Sequence, residues 1–332
     1  LAIDERSDRA MFVICIESSH RRGLGHLFRS LNLARELRKR GYAVRFLVND
    51  HDRSRALIQS NGFAHDIYPL VDPPGSWEAR FLDEHPDVSV WINDRLDTDP
   101  AHAGVVRAAT RKLITFDDRS AAADAAELNV SALIFDHADR LKGKHVVTGP
   151  RYLILDAAIG KYRRQREALG SIVVTLGGAD TYGVTLKVLE LLAQSGRSAT
   201  VVTGPAFGHL DQLHALLDQP GYGEFLHKAN VPSLAEEMSR HDLAITGGGL
   251  TPFEAAAAGL PSVVIANEDF EIPVGRALEG LGCSIFAGHH TAVNERIFHR
   301  MLPLKEMSIR ATQEVDLNGA LRVADLIEEL RH

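Results

Sequence analysis

Residues 242–266, DLAITGGGLTPFEAAAAGLPSVVIA, read as a strand, a glycine turn, a helix and a second strand. Positions 243–246 are a short apolar run, glycines fill 247–249, small residues follow at helical length, and 262–266 is apolar again. Successive glycines allow a sharp turn and close approach of the backbone to a ligand. The helix beyond starts with N–H groups that lack partners and carry partial positive charge. A phosphate therefore fits at Gly248, Gly249, Leu250 and Thr251. The same letters also read as a cap, with Thr251 at N-cap, Pro252 at N1 and Glu254 at N3 of a capping box. In that reading Glu254 does no more than close its own helix.

A second glycine turn lies upstream in VVTLGGAD (173–180), where Gly177 and Gly178 follow an apolar strand at 172–176 and precede a helix to about 194. Asp180 is placed to cap that helix, and its carboxylate would compete with a phosphate for the same amides. The diphosphate is thus assigned to 248–251, and Gly177 and Gly178 to a close approach nearby. Strands at 200–203, 225–226 and 284–286 alternate with helical segments, and two or three helices close the chain.

The first half repeats this alternation. MFVICIE (11–17) is a continuous apolar run, the mark of a strand buried on both faces of a parallel sheet. A glycine turn and a helix to about Arg40 follow, with Leu27, Leu31, Ala34 and Leu37 on one face and Gly41 as the stop. Further strands are expected at 44–48, 64–68, 88–92 and 112–116, with helices at 54–60, before 84 and at 101–109. Periodicity is poor over 119–149, where one strand is expected at 132–135, and 152–155 is a last short apolar run. GKYRRQREALG (160–170) turns polar and basic. The expected division is a disordered tail at 1–10, a domain at 11–160, a linker at 161–170 and a second domain at 171–332. Both domains are expected to be doubly wound, Rossmann-like α/β units with parallel sheets, facing a central cleft, with ligands beyond the carboxyl ends of the strands.

A net charge of −7 and a pI near 6.1, with no basic run interleaved with aromatics, give no footprint for nucleic acid. No stretch approaches the ~20 apolar residues of a membrane span. The polar start LAIDERSDRA does not resemble a signal peptide, so a cytoplasmic location is expected. Cys15 and Cys283 are expected as buried thiols in strands. His289 and His290 are adjacent rather than on one helical face, so no metal site and no cofactor are expected.

Gly23, Gly25 and His26 lie between the first strand and its helix, which puts His26 on the first helical turn. A neutral imidazole there serves as a general base, or else the side chain simply packs. Arg29, three residues on, shares its face and suits a phosphate or carboxylate. Asp94, Asp97, Asp117 and Asp118 follow strands, where they bind sugar hydroxyls, act as acid or base, or cap the next helix. Asp94 is the leading candidate because it ends its strand directly.

GLGHLFRSLNLARELRKRG (23–41), VVTLGGAD (173–180) and the whole of 242–266 resemble motifs of GT-B nucleotide-sugar enzymes. They are most similar to the pseudaminic-acid-pathway UDP-sugar hydrolases and the spore-coat polysaccharide biosynthesis glycosyltransferase-like proteins. A more distant likeness is to the lipid-linked N-acetylglucosaminyl transferase of peptidoglycan synthesis. The resemblance implies that Gly248, Gly249, Leu250 and Thr251 hold the diphosphate of a UDP-sugar, that Glu254 takes the ribose hydroxyls, and that the backbone around Asn230 and Val231 meets the base. It implies that His26 activates water, and it places Gly25, Arg29, Asp94, Gly177, Gly178 and Glu271 on the sugar side. Two departures stand out: Asp94, Arg95 and Leu96 replace an Asp-x-Tyr, and 267–271 reads NEDFE where a glutamine is usual. The expected activity is hydrolysis of a UDP-sugar, of the 2,4-diacetamido-2,4,6-trideoxy kind, with transfer to a glycan, lipid or protein acceptor as the alternative. A third reading is a sugar-nucleotide sensor that binds without turnover.

Overall fold

The structure is a computed structural model that describes residues 10–18, 25–69, 73–95, 97–109, 112–133, 135–136, 138–178, 180–204, 206–295 and 302–330. Of the expected tail, all but residue 10 lies outside the described residues, as do Gly23 and Leu96. The chain forms two compact units, one reaching to Asp156 and resuming at Asn318, the other Ala157–Leu317.

The first unit holds a parallel sheet of seven strands: β1 (Met11–Ile16), β2 (Ala43–Val48), β3 (Ala64–Ile67), β4 (Val88–Asp94), β5 (Lys112–Phe116), β6 (Leu128–Ser131) and β7 (His145–Thr148). Their order is β3-β2-β1-β4-β5-β6-β7. β1 is an interior strand with all six residues buried, as its unbroken apolar run requires. Helix α1 (Gly25–Lys39) connects β1 to β2 and buries Leu27, Leu31, Ala34 and Leu37. The next three crossovers are α2 (Asp52–Ser60), α3 (Ser76–Glu84) and α4 (Pro100–Ala108), and short 3-10 turns lie in the last two. Asp99 caps α4, its carboxylate accepting from the Ala101 and His102 amides.

The second unit holds six parallel strands: β8 (Ile172–Thr175), β9 (Thr200–Thr203), β10 (Leu226–Ala229), β11 (Leu243–Thr246), β12 (Ser262–Ala266) and β13 (Ser284–His289). Their order is β10-β9-β8-β11-β12-β13. Its helices are α5 (Val184–Gln194), α6 (Leu210–Leu217), α7 (Leu234–Ser239), α8 (Thr251–Ala257), α9 (Ile272–Gly280) and α10 (Leu304–Glu314). In both sheets the strand order reverses once, between β1 and β4 and between β8 and β11, and ligands bind at such a switch point beyond the carboxyl ends of the strands.

Four expectations differ from what the fold contains. The described residues of the strand expected at 132–135, namely Ala132, Leu133 and Phe135, lie in no strand; β6 and β7 flank that stretch instead, carrying buried polar or exposed side chains that break the apolar pattern. The run 152–155 is not a strand, although Leu153, Ile154 and Leu155 are buried. Cys283 precedes β13 rather than lying in it, and both cysteines are buried free thiols.

The fourth difference is the division itself. Residues 161–170 belong to the second unit: the buried Arg166 donates to the carbonyls of His241 and Ala258, and Arg164 to those of Ser239 and His241. Their basic side chains satisfy the carbonyls that α7 and α8 leave open at their C-terminal ends. The closing helix, α11 (Gly319–Glu329), belongs to the first unit, where Val323, Ala324 and Ile327 join Phe12, Leu31 and Leu37 in its core. Arg40 clamps it through Asp325 and Glu328 at 2.7 and 2.6 Å.

Gly319 opens α11 against the chain at Leu153, where an added Cβ would lie 1.8 Å from the carbonyl oxygen. Gly319→Ala is expected to destabilise the first unit by about 1–3 kcal/mol through overpacking. The two tryptophans, Trp77 and Trp91, both lie in that unit, so urea denaturation followed by their fluorescence reads it selectively. An unchanged midpoint would show that α11 tolerates displacement.

Candidate functional site

Each unit carries its own cluster of candidate residues at its switch point. In the first unit, Gly25 opens α1 and His26 follows on its first turn, while Asp94 is the last residue of β4, the strand beside β1. His26 Nδ1 lies 2.6 Å from Asp94 Oδ1. An ionised carboxylate has no proton to give, so Nδ1 carries the hydrogen and Nε2 of the neutral ring keeps its lone pair. Nε2 has no hydrogen-bond partner among the described residues, and the side chain is 22% exposed against 0% for Asp94.

Asp94 is held on every side. Arg29 donates to it from Nε at 3.0 Å and from Nη2 at 2.5 Å, and Ser30 Oγ donates at 3.0 Å. Arg29 Nη1 donates to Asp117 Oδ2, and the guanidinium lies 4.8 Å from the centre of the Phe116 ring. Asp117, just past β5, has φ 49°, a left-handed conformation uncommon for a residue with a Cβ. Its second oxygen accepts from the Leu133 amide at 3.2 Å, so both oxygens have partners in that geometry. Burial pushes the Asp94 carboxyl up, but the Arg29 charge and the hydrogen bonds from His26 and Arg29 outweigh it and hold the group well below the usual carboxylate range. Burial likewise works against the charge on Arg29, and Asp94 and Asp117 more than restore it. Arg29, expected on the sugar side, is only 3% exposed and is engaged by carboxylates of its own unit.

In the second unit, Gly177 and Gly178 follow β8 and Gly247–249 follow β11, the neighbouring strand. Gly177 adopts φ 91°, and a Cβ on Gly204 would lie 2.6 Å from Gly178, so two turns meet there backbone to backbone. Asp180 accepts from the Val184 and Thr185 amides at 2.9 and 2.8 Å, which occupies the start of α5 as expected of a cap. The capping box at 251–254 does not form: Leu250 is the N-cap without a side-chain bond, Thr251 is already helical, and Glu254 is half-buried. Glu271 lies against the glycine turn, its Oε2 accepting from the Asn267 amide at 2.7 Å and the Gly248 amide at 3.3 Å. A Cβ on Gly248 would come within 2.5 Å of the Glu271 Cβ. Burial raises the Glu271 carboxyl above its ordinary value even though the two amides pull it down. Val231 follows β10 and packs partly buried beside Val173, Val202 and Leu260, just after Asn230 at φ 52°.

The structure thus joins His26, Arg29 and Asp94 in one cluster, with Gly25 at its edge, and joins Gly248 to Glu271 in another. Sequence reasoning did not find Ser30 or the pairing of Arg29 with Asp117; those partners lie 64 and 88 residues away in the chain. Gly204 was missed as well.

Removing Arg29 would leave two carboxylates buried without a countercharge. Arg29→Met is therefore expected to cost about 3–5 kcal/mol. The folded-state pKa of Asp94 is lowered, so its contribution is complete above the unfolded value near ~4 and is lost as pH falls towards the folded value. Asp94→Asn is expected to be less stable than the parent at pH 7 and to lose less on acidification below pH ~4. Urea midpoints measured from pH 7 to pH 2 check both; parallel curves for parent and variant would contradict the assignment.

No protein-family model matches the chain. An uncharacterised protein of Methanocaldococcus jannaschii is 30% identical over 279 residues, which is 78% of this chain and 56% of that protein. The chain therefore spans about half the length of that relative. The spore coat polysaccharide biosynthesis protein SpsG of Bacillus subtilis is 21% identical over 341 residues, covering 96% of this chain and 97% of SpsG. Among solved structures, MurG of Acinetobacter baumannii superimposes with a TM-score of 0.70 at 16% identity, over 96% of this chain and 99% of MurG. HepE of Anabaena in complex with UDP gives 0.68 at 15% identity, over 96% of this chain and 100% of HepE. The strand orders, the glycine turns after β8 and β11 and these likenesses agree. The chain has the GT-B fold and is similar over nearly its whole length to SpsG.

Proposed function

We propose that the protein is a glycosyltransferase that moves a sugar from a nucleoside diphosphate to an acceptor hydroxyl, with His26 as general base. The 2.6 Å contact between His26 and the buried Asp94 carries this reading. Asp94 orients the ring and stabilises the imidazolium, which makes it a positioning residue rather than a contact to the sugar. Nε2 takes the acceptor proton as the acceptor oxygen attacks the anomeric carbon. The bond from that carbon to the phosphate oxygen breaks, and the diphosphate leaves with the electron pair. The amides of the turn at Gly248, Gly249, Leu250 and Thr251 receive its charge, with Glu271 giving up the Gly248 amide. Glu254 takes the ribose hydroxyls and the backbone at Val231 the base, while Gly25, Gly177, Gly178 and Glu271 border the sugar. SpsG, by its name a polysaccharide biosynthesis protein, and HepE, solved with UDP and with UDP-glucose, support a UDP-sugar donor.

Hydrolysis is the second reading, favoured by the motif resemblance to the pseudaminic-acid-pathway hydrolases. Water then takes the place of the acceptor, and the donor is a 2,4-diacetamido-2,4,6-trideoxy UDP-sugar. Phosphorus NMR with UDP-, GDP- and CMP-sugars, with and without glycan and lipid acceptors, separates the two. Transfer predicts UDP release only with an acceptor; release through many turnovers in water alone would replace it with hydrolysis.

His26→Ala is expected to lower turnover by roughly 10²–10⁴-fold with UDP affinity within about twofold of the parent. Retained turnover would remove His26 from the chemistry. Glu254→Ala is expected to weaken UDP binding by about tenfold or more by calorimetry, and unchanged binding would remove the ribose contact.

A further inference from the structure

Three side chains outside the cluster of His26 meet at the carboxyl end of the second sheet. Tyr182 lies between β8 and α5, Glu268 just after β12, and His290 just after β13. The Tyr182 ring stacks on the His290 imidazole with centroids 4.4 Å apart and planes 15° from parallel. Its hydroxyl donates to Glu268 Oε1 at 3.1 Å. His290 is itself fixed, with the Lys187 ammonium donating to its carbonyl at 3.2 Å and the His289 ring 4.2 Å away. Yet Tyr182 remains 50% exposed and takes no part in the hydrophobic core of its unit.

Immobilising a half-exposed ring costs side-chain entropy, and here only the face on His290 is covered to offset it. The arrangement makes sense if the open face is covered by a ligand. The same short turn that carries Glu268 carries Glu271, whose carboxylate holds the Gly248 amide. The Glu271 amide donates to the Glu268 carbonyl at 3.0 Å, and three residues of such a turn advance about 6 Å. That is the span of one sugar ring. Phe270, 69% exposed, stands in the same turn.

We propose that Tyr182, backed by His290 and flanked by Glu268, is a stacking platform for the pyranose ring that the diphosphate carries. The inference rests on the donor site proposed at 248–251. A pyranose presents C–H bonds on one face, which suit the negative face of an aromatic ring, and hydroxyls at its rim. The Glu268 oxygen not used by Tyr182 accepts one of those hydroxyls. A wholly apolar group would offer that second oxygen no donor. The nucleobase is a poorer fit, because the segment assigned to it follows β10 at the far edge of the sheet, whereas the platform gathers β8, β12 and β13. The bond to Glu268 raises the Tyr182 phenol, which keeps its proton, and burial together with His289 and Lys187 lowers His290, which favours a neutral ring.

The test titrates the full chain with UDP and with UDP-glucose and UDP-N-acetylglucosamine by calorimetry, while NMR follows the Tyr182 ring and the Gly248 amide. UDP should shift the Gly248 amide, and only the sugar nucleotides should shift the Tyr182 ring. Tyr182→Ala should weaken the sugar nucleotides at least fivefold and leave UDP within twofold, with Tyr182→Phe and Glu268→Gln in between. Equal losses for UDP and its sugars would overturn the platform, as would a sugar-nucleotide affinity unaffected by Tyr182→Ala. If UDP leaves Gly248 unmoved, the donor reading fails on its own. Methyl pyranosides then decide the platform: a shifted Tyr182 ring keeps it, and an unmoved ring overturns it.

Discussion

Arg29 sits between Asp94 and Asp117 with almost no water around it, and each of the three charges would be untenable in that place alone. Their mutual attraction in a low-dielectric interior is what allows an ionised carboxylate to stand behind an imidazole. Asp94 gains two contacts from one guanidinium and a third from Ser30, so its orientation is fixed before any ligand arrives. His26 inherits that fixity through a single short hydrogen bond. Asp117 accepts an uncommon backbone conformation in return for closing the set. The cluster ties the ends of β4 and β5 to the start of α1, and it therefore sets the geometry of the whole carboxyl edge of the first sheet.

The second unit solves a related problem with backbone rather than charge. Its glycines bring main chain against main chain, as at Gly178 and Gly204, and against a side chain, as at Gly248 and Glu271. Asp180 fills the amides that open α5, which removes them from competition for an anion. After β11 the Gly248 amide is in turn held by Glu271. The division of labour follows from the two strand orders, since each sheet reverses once and each reversal exposes one crevice.

Much of this was legible in the letters. The stretch 242–266 gave β11 and β12 at their observed bounds, because buried parallel strands bounded by glycine and proline leave an unmistakable pattern. β6 escaped for a physical reason: Asn129 and Ser131 are polar yet buried, satisfied by each other and by the carbonyls of Asp118 and Lys142. β7 escaped because it is an edge strand with exposed side chains. His26 and Asp94 were both legible as singles, from their places at strand ends. Their pairing was not, since no local rule joins residues 68 apart, and the same holds for Arg29 and Asp117. The basic run 163–166 looked like a solvated linker because letters do not show that its guanidiniums face the ends of helices.

The return of α11 to the first unit has a consequence for synthesis. Residues 157–317 must all be made before the helix that covers the apolar face of α1 exists. At translation rates of about 5–20 residues per second, that interval is about 10–30 s. The second unit, uninterrupted in sequence, completes first even though it starts later. During the wait the first unit shows Leu31 and Leu37 to whatever is nearby, and protease sensitivity of arrested chains would time the moment at which α11 shuts that window.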